Sequence, residues 1–76
     1  MSKLPSVSGA RVVRALQRGG FVIVRISGSH HRLVHIDDPS RATTVPVHGA
    51  KTLRSGTMRN ILRQTGLTID ELIALL

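Results

Sequence analysis

Cysteine, tryptophan and tyrosine are absent from this 76-residue chain, and Phe21 is its only aromatic residue. Without cysteine the chain has no disulfide, no thiolate metal ligand and no cysteine nucleophile. A single aromatic residue disfavours the RRM and OB modules, which stack nucleic-acid bases on several aromatic side chains.

Long apolar runs are missing as well. No segment approaches the roughly 20 apolar residues that span a bilayer, and the first residues, Met1 to Pro5, lack the apolar core of a signal peptide. Because the lack of cysteine also fits a reducing compartment, we expect a cytoplasmic protein that does not contact a membrane.

Acidic residues are scarce, and their positions matter. The four are Asp37 and Asp38 in a predicted turn, and Asp70 and Glu71 at the start of a predicted helix. Neither pair resembles the carboxylate cluster of a two-metal nuclease. The chain also has no glycine-rich phosphate loop. We therefore predict neither a metal nor a cofactor.

Basic residues are abundant by contrast. Eleven Lys and Arg residues outweigh the four acids, so the net charge is +7 and the isoelectric point is about 11.9. All of these cations except Lys3 and Lys51 are arginines, whose planar group of donors suits phosphate. This charge is typical of a nucleic-acid-binding domain, although a solvated basic surface or an acidic protein partner also fits it.

The hydrophobic pattern predicts one α+β domain over residues 1–76. A turn is expected at Gly28-Ser29, because glycine at the first position of a two-residue loop favours a hairpin. The predicted third strand contains Pro46, so it should lie at an edge or end there. In chain order the predicted elements are a helix over 9–18, strands over 21–27, 30–36 and 41–48, a helix to residue 65 capped by Ser55 or Thr57, and a short helix from Thr68.

The four histidines, His30, His31, His35 and His48, are the residues best suited to proton transfer near neutral pH. RNA carries its own nucleophile, the 2′-hydroxyl. A base that deprotonates this group, with cations that neutralise the phosphate, is sufficient to cleave RNA without a metal.

The hairpin register selects among these histidines. A two-residue turn places Ser27 opposite His30 and Arg25 opposite Arg32, so strand alternation puts His30 on one face with both arginines. His31 would share the other face with Leu33, Val24 and Ile26, which looks like core. A bulge would exchange the faces, and a solvated strand histidine is the alternative interpretation of His30.

A histidine metal site is less favoured. His31 and His35 would lie roughly 13 Å apart on a strand, too far to share one ion. His30 and His48 can approach each other if the third strand lies close, but no third ligand is evident.

Four motifs in order resemble the HicA toxins of bacterial and archaeal type II toxin–antitoxin systems. A helix ends in glycine followed by an aromatic residue, the hairpin carries Gly-Ser-His-His, a later segment reads Val-Pro-x-His, and Gly-Thr opens a helix containing Ile-Leu. Each motif is weak alone, but their shared order in a short basic chain is specific. In this sequence they are Gly19-Gly20-Phe21, Gly28-Ser29-His30-His31, Val45-Pro46-Val47-His48 and Gly56-Thr57.

The resemblance implies a fold like the double-stranded-RNA-binding domain and cleavage of mRNA without the ribosome. It implies that His30 is catalytic and that Gly28 and Ser29 support the turn. His31 and His48 are possible supporting residues, although His48 is at least as easily explained as a strand-end histidine bonded to backbone. Arg25, Arg32 and Lys51 are expected to bind RNA phosphates.

The resemblance also implies a HicB-type antitoxin that covers the active site. The last helix, residues 68–76, is not shared by all family members, and we expect it to pack in the core rather than to bind the antitoxin. The main alternative function is a non-catalytic double-stranded-RNA-binding module. The helix over 57–64 lacks the lysine cluster usual in such modules, which argues against it. A DNA-binding role is the least favoured, because no helix-turn-helix is predicted.

Overall fold

A computed structural model describes residues 2–76 and confirms the predicted α+β arrangement. The elements are α1 (Gly9–Arg18), β1 (Phe21–Ser27), β2 (His30–His35), β3 (Ala42–Pro46), α2 (Ser55–Thr65) and α3 (Ile69–Leu75). The strands form an antiparallel sheet of order β1-β2-β3, so β2 is central and β1 and β3 are edge strands.

The ends of α1 and α3 follow local sequence signals. The Ser8 side chain accepts a hydrogen bond from the Arg11 N–H at 3.3 Å at the start of α1. Gly20, with φ of 94°, turns the chain from α1 into β1. Thr68 and Glu71 form the predicted capping box at the start of α3, because each accepts a hydrogen bond from the other's backbone N–H.

The predicted cap of α2 is wrong. The helix begins at Ser55, and its N-cap residue is Arg54, which makes no side-chain capping hydrogen bond. Ser55 and Thr57 lie inside the first helical turn, where their side chains are no longer placed to accept from the second or third N–H of the helix. The start of α2 therefore leaves N–H groups without a side-chain acceptor.

The β1–β2 hairpin contains one extra residue. Ser27 pairs with His30, Ile26 with His31 and Arg25 with Arg32, as predicted, but Ile23 then pairs with Leu33. Val24 is the unpaired residue of a β-bulge. Because of this extra residue, Phe21 and Ile23 lie on the face that packs on the helices, while Arg25 lies on the opposite face.

We call the face that packs on the helices the inner face and the opposite one the outer face. Leu33, Thr43 and Val45 are buried on the inner face. The prediction that Val24 and Ile26 join this core is wrong, since they are 56% and 57% exposed. The bulge takes Val24 out of the alternation. Ile26 lies near the turn on an edge strand and is exposed, although Val45 in the same row across the sheet is buried.

β3 ends at Pro46, as its missing N–H predicts, and so is shorter than the predicted 41–48. Its end supports α1: a Cβ added at Gly9 would lie 2.0 Å from the Pro46 carbonyl oxygen. Only glycine permits this contact between the first turn of α1 and the backbone of β3.

The core lies between the inner face and the three helices. It is aliphatic apart from Phe21, and two buried threonines satisfy their hydroxyls: Thr43 donates to Gln64 Oε1 at 2.7 Å and Thr65 to the Ile61 carbonyl at 2.8 Å. The buried apolar residues are Val12, Val13, Ala15, Leu16, Phe21, Leu33, Val45, Met58, Ile61, Leu62 and Leu72.

The last helix belongs to this core, as expected. Leu72 is completely buried, Leu75 packs against the core cluster, and the Leu75 carbonyl accepts a hydrogen bond from Arg18 at 2.9 Å. Ser2 also donates a hydrogen bond to Asp70 on the same helix.

Leu72→Ala should lower the free energy of unfolding by about 2–5 kcal/mol, because it leaves a cavity in a closely packed core. Ile73→Ala is the matched control on the same helix, since Ile73 is 43% exposed, and it should cost less than about 1 kcal/mol. Urea denaturation of both variants measures the difference. Equal, small losses would show that α3 is not part of the stabilising core.

Candidate nucleic-acid interface

The outer face of the sheet presents two rows of residues that cross all three strands. One row is Ser27, His30 and Pro46, and the neighbouring row is Arg25, Arg32 and Thr44. His30 and both arginines are exposed. Strand pairing therefore brings together the histidine and the two arginines that the hairpin register predicted on one face.

Within residues 2–76, no carboxylate forms an ion pair with either of these arginines. Arg25 and Arg32 are cross-strand partners, and the hydrogen bond of Arg32 is to the Thr44 hydroxyl at 3.2 Å. The hydrogen bonds of Arg18, Arg41 and Arg63 are likewise to neutral oxygens. Two exposed arginines on neighbouring strands make the outer face a good match for phosphate.

Two of the four acids are engaged in local turns elsewhere. The Ser40 hydroxyl and N–H donate to Asp38, which lowers the pKa of that carboxyl below its usual value. The Thr68 N–H and hydroxyl lower the pKa of Glu71 in the same way at the start of α3. These carboxylates stabilise turns and leave the arginines of the outer face available to an external anion.

His31 lies on the inner face, directly opposite Ile26 and Val45. Its side chain is half-buried, and its Nδ1 is buried with no hydrogen-bond partner among the described residues. The adjacent histidines therefore differ in surroundings: His30 is exposed beside cations, whereas His31 sits against aliphatic residues with one ring nitrogen unsatisfied.

The turn that carries these histidines is well defined. Gly28 has φ of 59°, and a Cβ at this position would meet nothing within 4 Å, so glycine is needed there for conformation rather than for space. The Ser29 carbonyl accepts a hydrogen bond from the Val47 N–H at 2.7 Å. This bond holds the turn next to the segment that leads to His48.

A basic pocket lies beyond Pro46, the cross-strand partner of His30. Its volume is about 270 Å³, and it includes the N-terminal end of α2. Its cationic side chains come from Lys51 and Arg54. The lining residues are Pro46, His48, Lys51, Thr52, Leu53, Arg54 and Thr57.

The pocket unites two predicted residues, His48 and Lys51, with two that the sequence did not indicate, Arg54 and Thr57. The sequence signal that could have indicated Arg54 is its position as a basic residue directly before the second helix. The row containing His30 thus lies between the Arg25–Arg32 pair and the basic pocket.

His35, the fourth histidine, has a structural role at the other end of the sheet. Its ring packs edge-on against Phe21 at 4.9 Å, and its Nδ1 accepts a hydrogen bond from the Asp37 N–H at 3.1 Å. Across residues 2–76 no group of three or more His, Cys, Asp or Glu side chains is placed to hold a metal ion. The helices found in this part of the chain are too short or too polar to cross a membrane.

Arg25→Gln should raise the free energy of unfolding by a few tenths to about 1 kcal/mol, because like charges directly opposite each other destabilise a sheet. Arg14→Gln is the control, since Arg14 is exposed on α1 and not in a strand pair. Thermal unfolding at low salt measures both, and added phosphate should stabilise the wild type more than Arg25→Gln. If Arg25→Gln and Arg14→Gln changed the free energy of unfolding equally, this result would contradict repulsion between Arg25 and Arg32.

Comparison with known proteins supports the family suggested by the sequence motifs. A search of curated proteins finds no significant match. A family model described as the HicA toxin of bacterial toxin–antitoxin systems matches residues 9–67, more than three quarters of the chain. The match begins with α1 and ends before α3, so it contains the whole sheet, both outer-face rows and the basic pocket. The chain therefore belongs to the HicA toxin family.

Proposed function

We propose that this toxin is a metal-independent, ribosome-independent endoribonuclease that cleaves mRNA, and that His30 is the base that activates the RNA 2′-hydroxyl. One observation carries the proposal: an exposed histidine lies between a cross-strand pair of arginines and a basic pocket. RNA supplies the nucleophile, so this site needs only a proton acceptor and cations around the phosphate.

In this mechanism the 2′-hydroxyl gives its proton to the His30 imidazole, and the 2′-oxygen attacks the adjacent phosphorus. The bond from phosphorus to the 5′-oxygen breaks, and that oxygen leaves with a proton taken from the site or from water. The products are a 2′,3′-cyclic phosphate and a 5′-hydroxyl end. Arg25 and Arg32 stabilise the charge that develops on the phosphate oxygens, while Lys51 and Arg54 hold a neighbouring phosphate.

Residues around His30 have supporting roles in this proposal. Gly28 and Ser29 fix the turn, and His48 lines the pocket that receives the RNA backbone. His31 supports the strand from the inner face. A toxin of this family has an antitoxin partner, and we propose that it is of the HicB type and that the toxin acts in the cytoplasm.

The test is cleavage of a purified mRNA in EDTA by the wild type, His30→Ala and His31→Ala, after circular dichroism confirms that each protein is folded. His30→Ala should lose at least about a hundredfold in rate, as expected for a general base, and should still bind RNA. His31→Ala should keep most of the activity.

Three results would overturn parts of the proposal. Loss of cleavage only in His31→Ala would move the base to the inner-face histidine. Full activity in both variants would exclude both residues and direct attention to His48. RNA binding without cleavage by the wild type would indicate the non-catalytic double-stranded-RNA-binding module.

A further inference from the structure

The free edge of β1 carries an exposed aliphatic surface. Val22, Val24 and Ile26 are 42%, 56% and 57% exposed, although all three lie on a strand of only seven residues. β1 has β2 on one side, and no strand formed by residues 2–76 pairs with its other side. Val22 and Arg25 lie on the outer face of this strand, Ile26 lies on the inner face, and Val24 is the bulge residue. We call these four side chains along the edge the β1 edge surface.

The chemistry of this surface fits a protein better than a nucleic acid. RNA is held by cations and by aromatic platforms on which bases stack, and valine and isoleucine provide neither. A protein strand added to a free sheet edge instead pairs its backbone with the exposed backbone groups and places alternate side chains on aliphatic neighbours. β1 is an edge strand with exposed aliphatic side chains, as this kind of strand addition requires.

Charge decides which protein fits. In a pair formed by two copies of this chain through β1, arginines would approach arginines between molecules that each carry a net charge of +7, and β1 has no acid to offset them. A partner strand with carboxylates on its outer face and aliphatic side chains on its inner face would instead neutralise Arg25 while it covers Ile26.

We propose that the β1 edge surface is a docking site for the antitoxin, which adds an extended acidic segment with aliphatic side chains along β1. The inference rests on the antitoxin that family membership implies, and it does not depend on the ribonuclease activity proposed above. Docking there would engage Arg25 and so remove one of the two outer-face arginines from RNA.

The test uses the 76-residue toxin chain and its cognate antitoxin protein, with affinity measured by calorimetry. The double variant Val24→Thr, Ile26→Thr removes apolar contact but keeps β-branched side chains and net charge, so the strand should persist. Its affinity for the antitoxin should fall by roughly ten- to a hundredfold, as for truncated interface anchors. The control Ile73→Thr changes the exposed isoleucine on α3 and should alter the affinity by less than about threefold.

A second measurement does not depend on substitution. Amide hydrogen exchange of the wild-type toxin should slow along residues 21–27 when the antitoxin binds. Unchanged exchange in β1, or equal affinity losses in the double variant and in Ile73→Thr, would overturn the proposal. So would weaker RNA binding by the folded double variant, which would assign the surface to RNA, or dimerisation of the free toxin through β1 in sedimentation experiments.

Discussion

The register of the β1–β2 hairpin is the constraint on which the rest of the structure depends. The Gly28-Ser29 turn sets the pairing at one end, and the bulge at Val24 shifts it by one residue towards the other end. Without that extra residue, Phe21 and Ile23 would face outwards whenever Arg25 does, because a slip of one residue exchanges the faces of a strand. The bulge lets one strand supply both the core and the cationic outer face.

The second determinant is the scarcity of acid. Four carboxylates accompany eleven Lys and Arg residues, and those of Asp38 and Glu71 stabilise their own turns. The outer face therefore keeps a cross-strand pair of arginines whose mutual repulsion an external anion reduces. Both an RNA phosphate and an acidic protein segment can supply this anion. In our account the substrate and the antitoxin compete for Arg25, although only the antitoxin gains from the aliphatic side chains beside it.

Local signals explain which features the sequence predicted. The capping residues Ser8 and Thr68, the two-residue turn and the stop at Pro46 each act within a few neighbours, so they can be recognised without the fold. The bulge could not be predicted, because β1 has valine or isoleucine on both faces and either register satisfies its pattern. The pocket joining His48 and Lys51 to Arg54 depends on how the loop after β3 pairs with the segment before α1 on its way to α2. The motif that carries His30 and the core-like face of His31 could both be found, but the buried His31 Nδ1 without a partner among residues 2–76 required the structure.

The central claim is that the RNA 2′-hydroxyl is the nucleophile and that the toxin supplies a base and cations without a metal. The chemistry of the cleaved ends tests it most directly. Mass spectrometry of a short RNA cut by the wild-type toxin in EDTA should show a 2′,3′-cyclic phosphate and a 5′-hydroxyl. The same RNA with a single 2′-deoxy substitution at the cleaved position should remain intact. Products ending in a 5′-phosphate and a 3′-hydroxyl, or cleavage of the deoxy-substituted strand, would contradict the account.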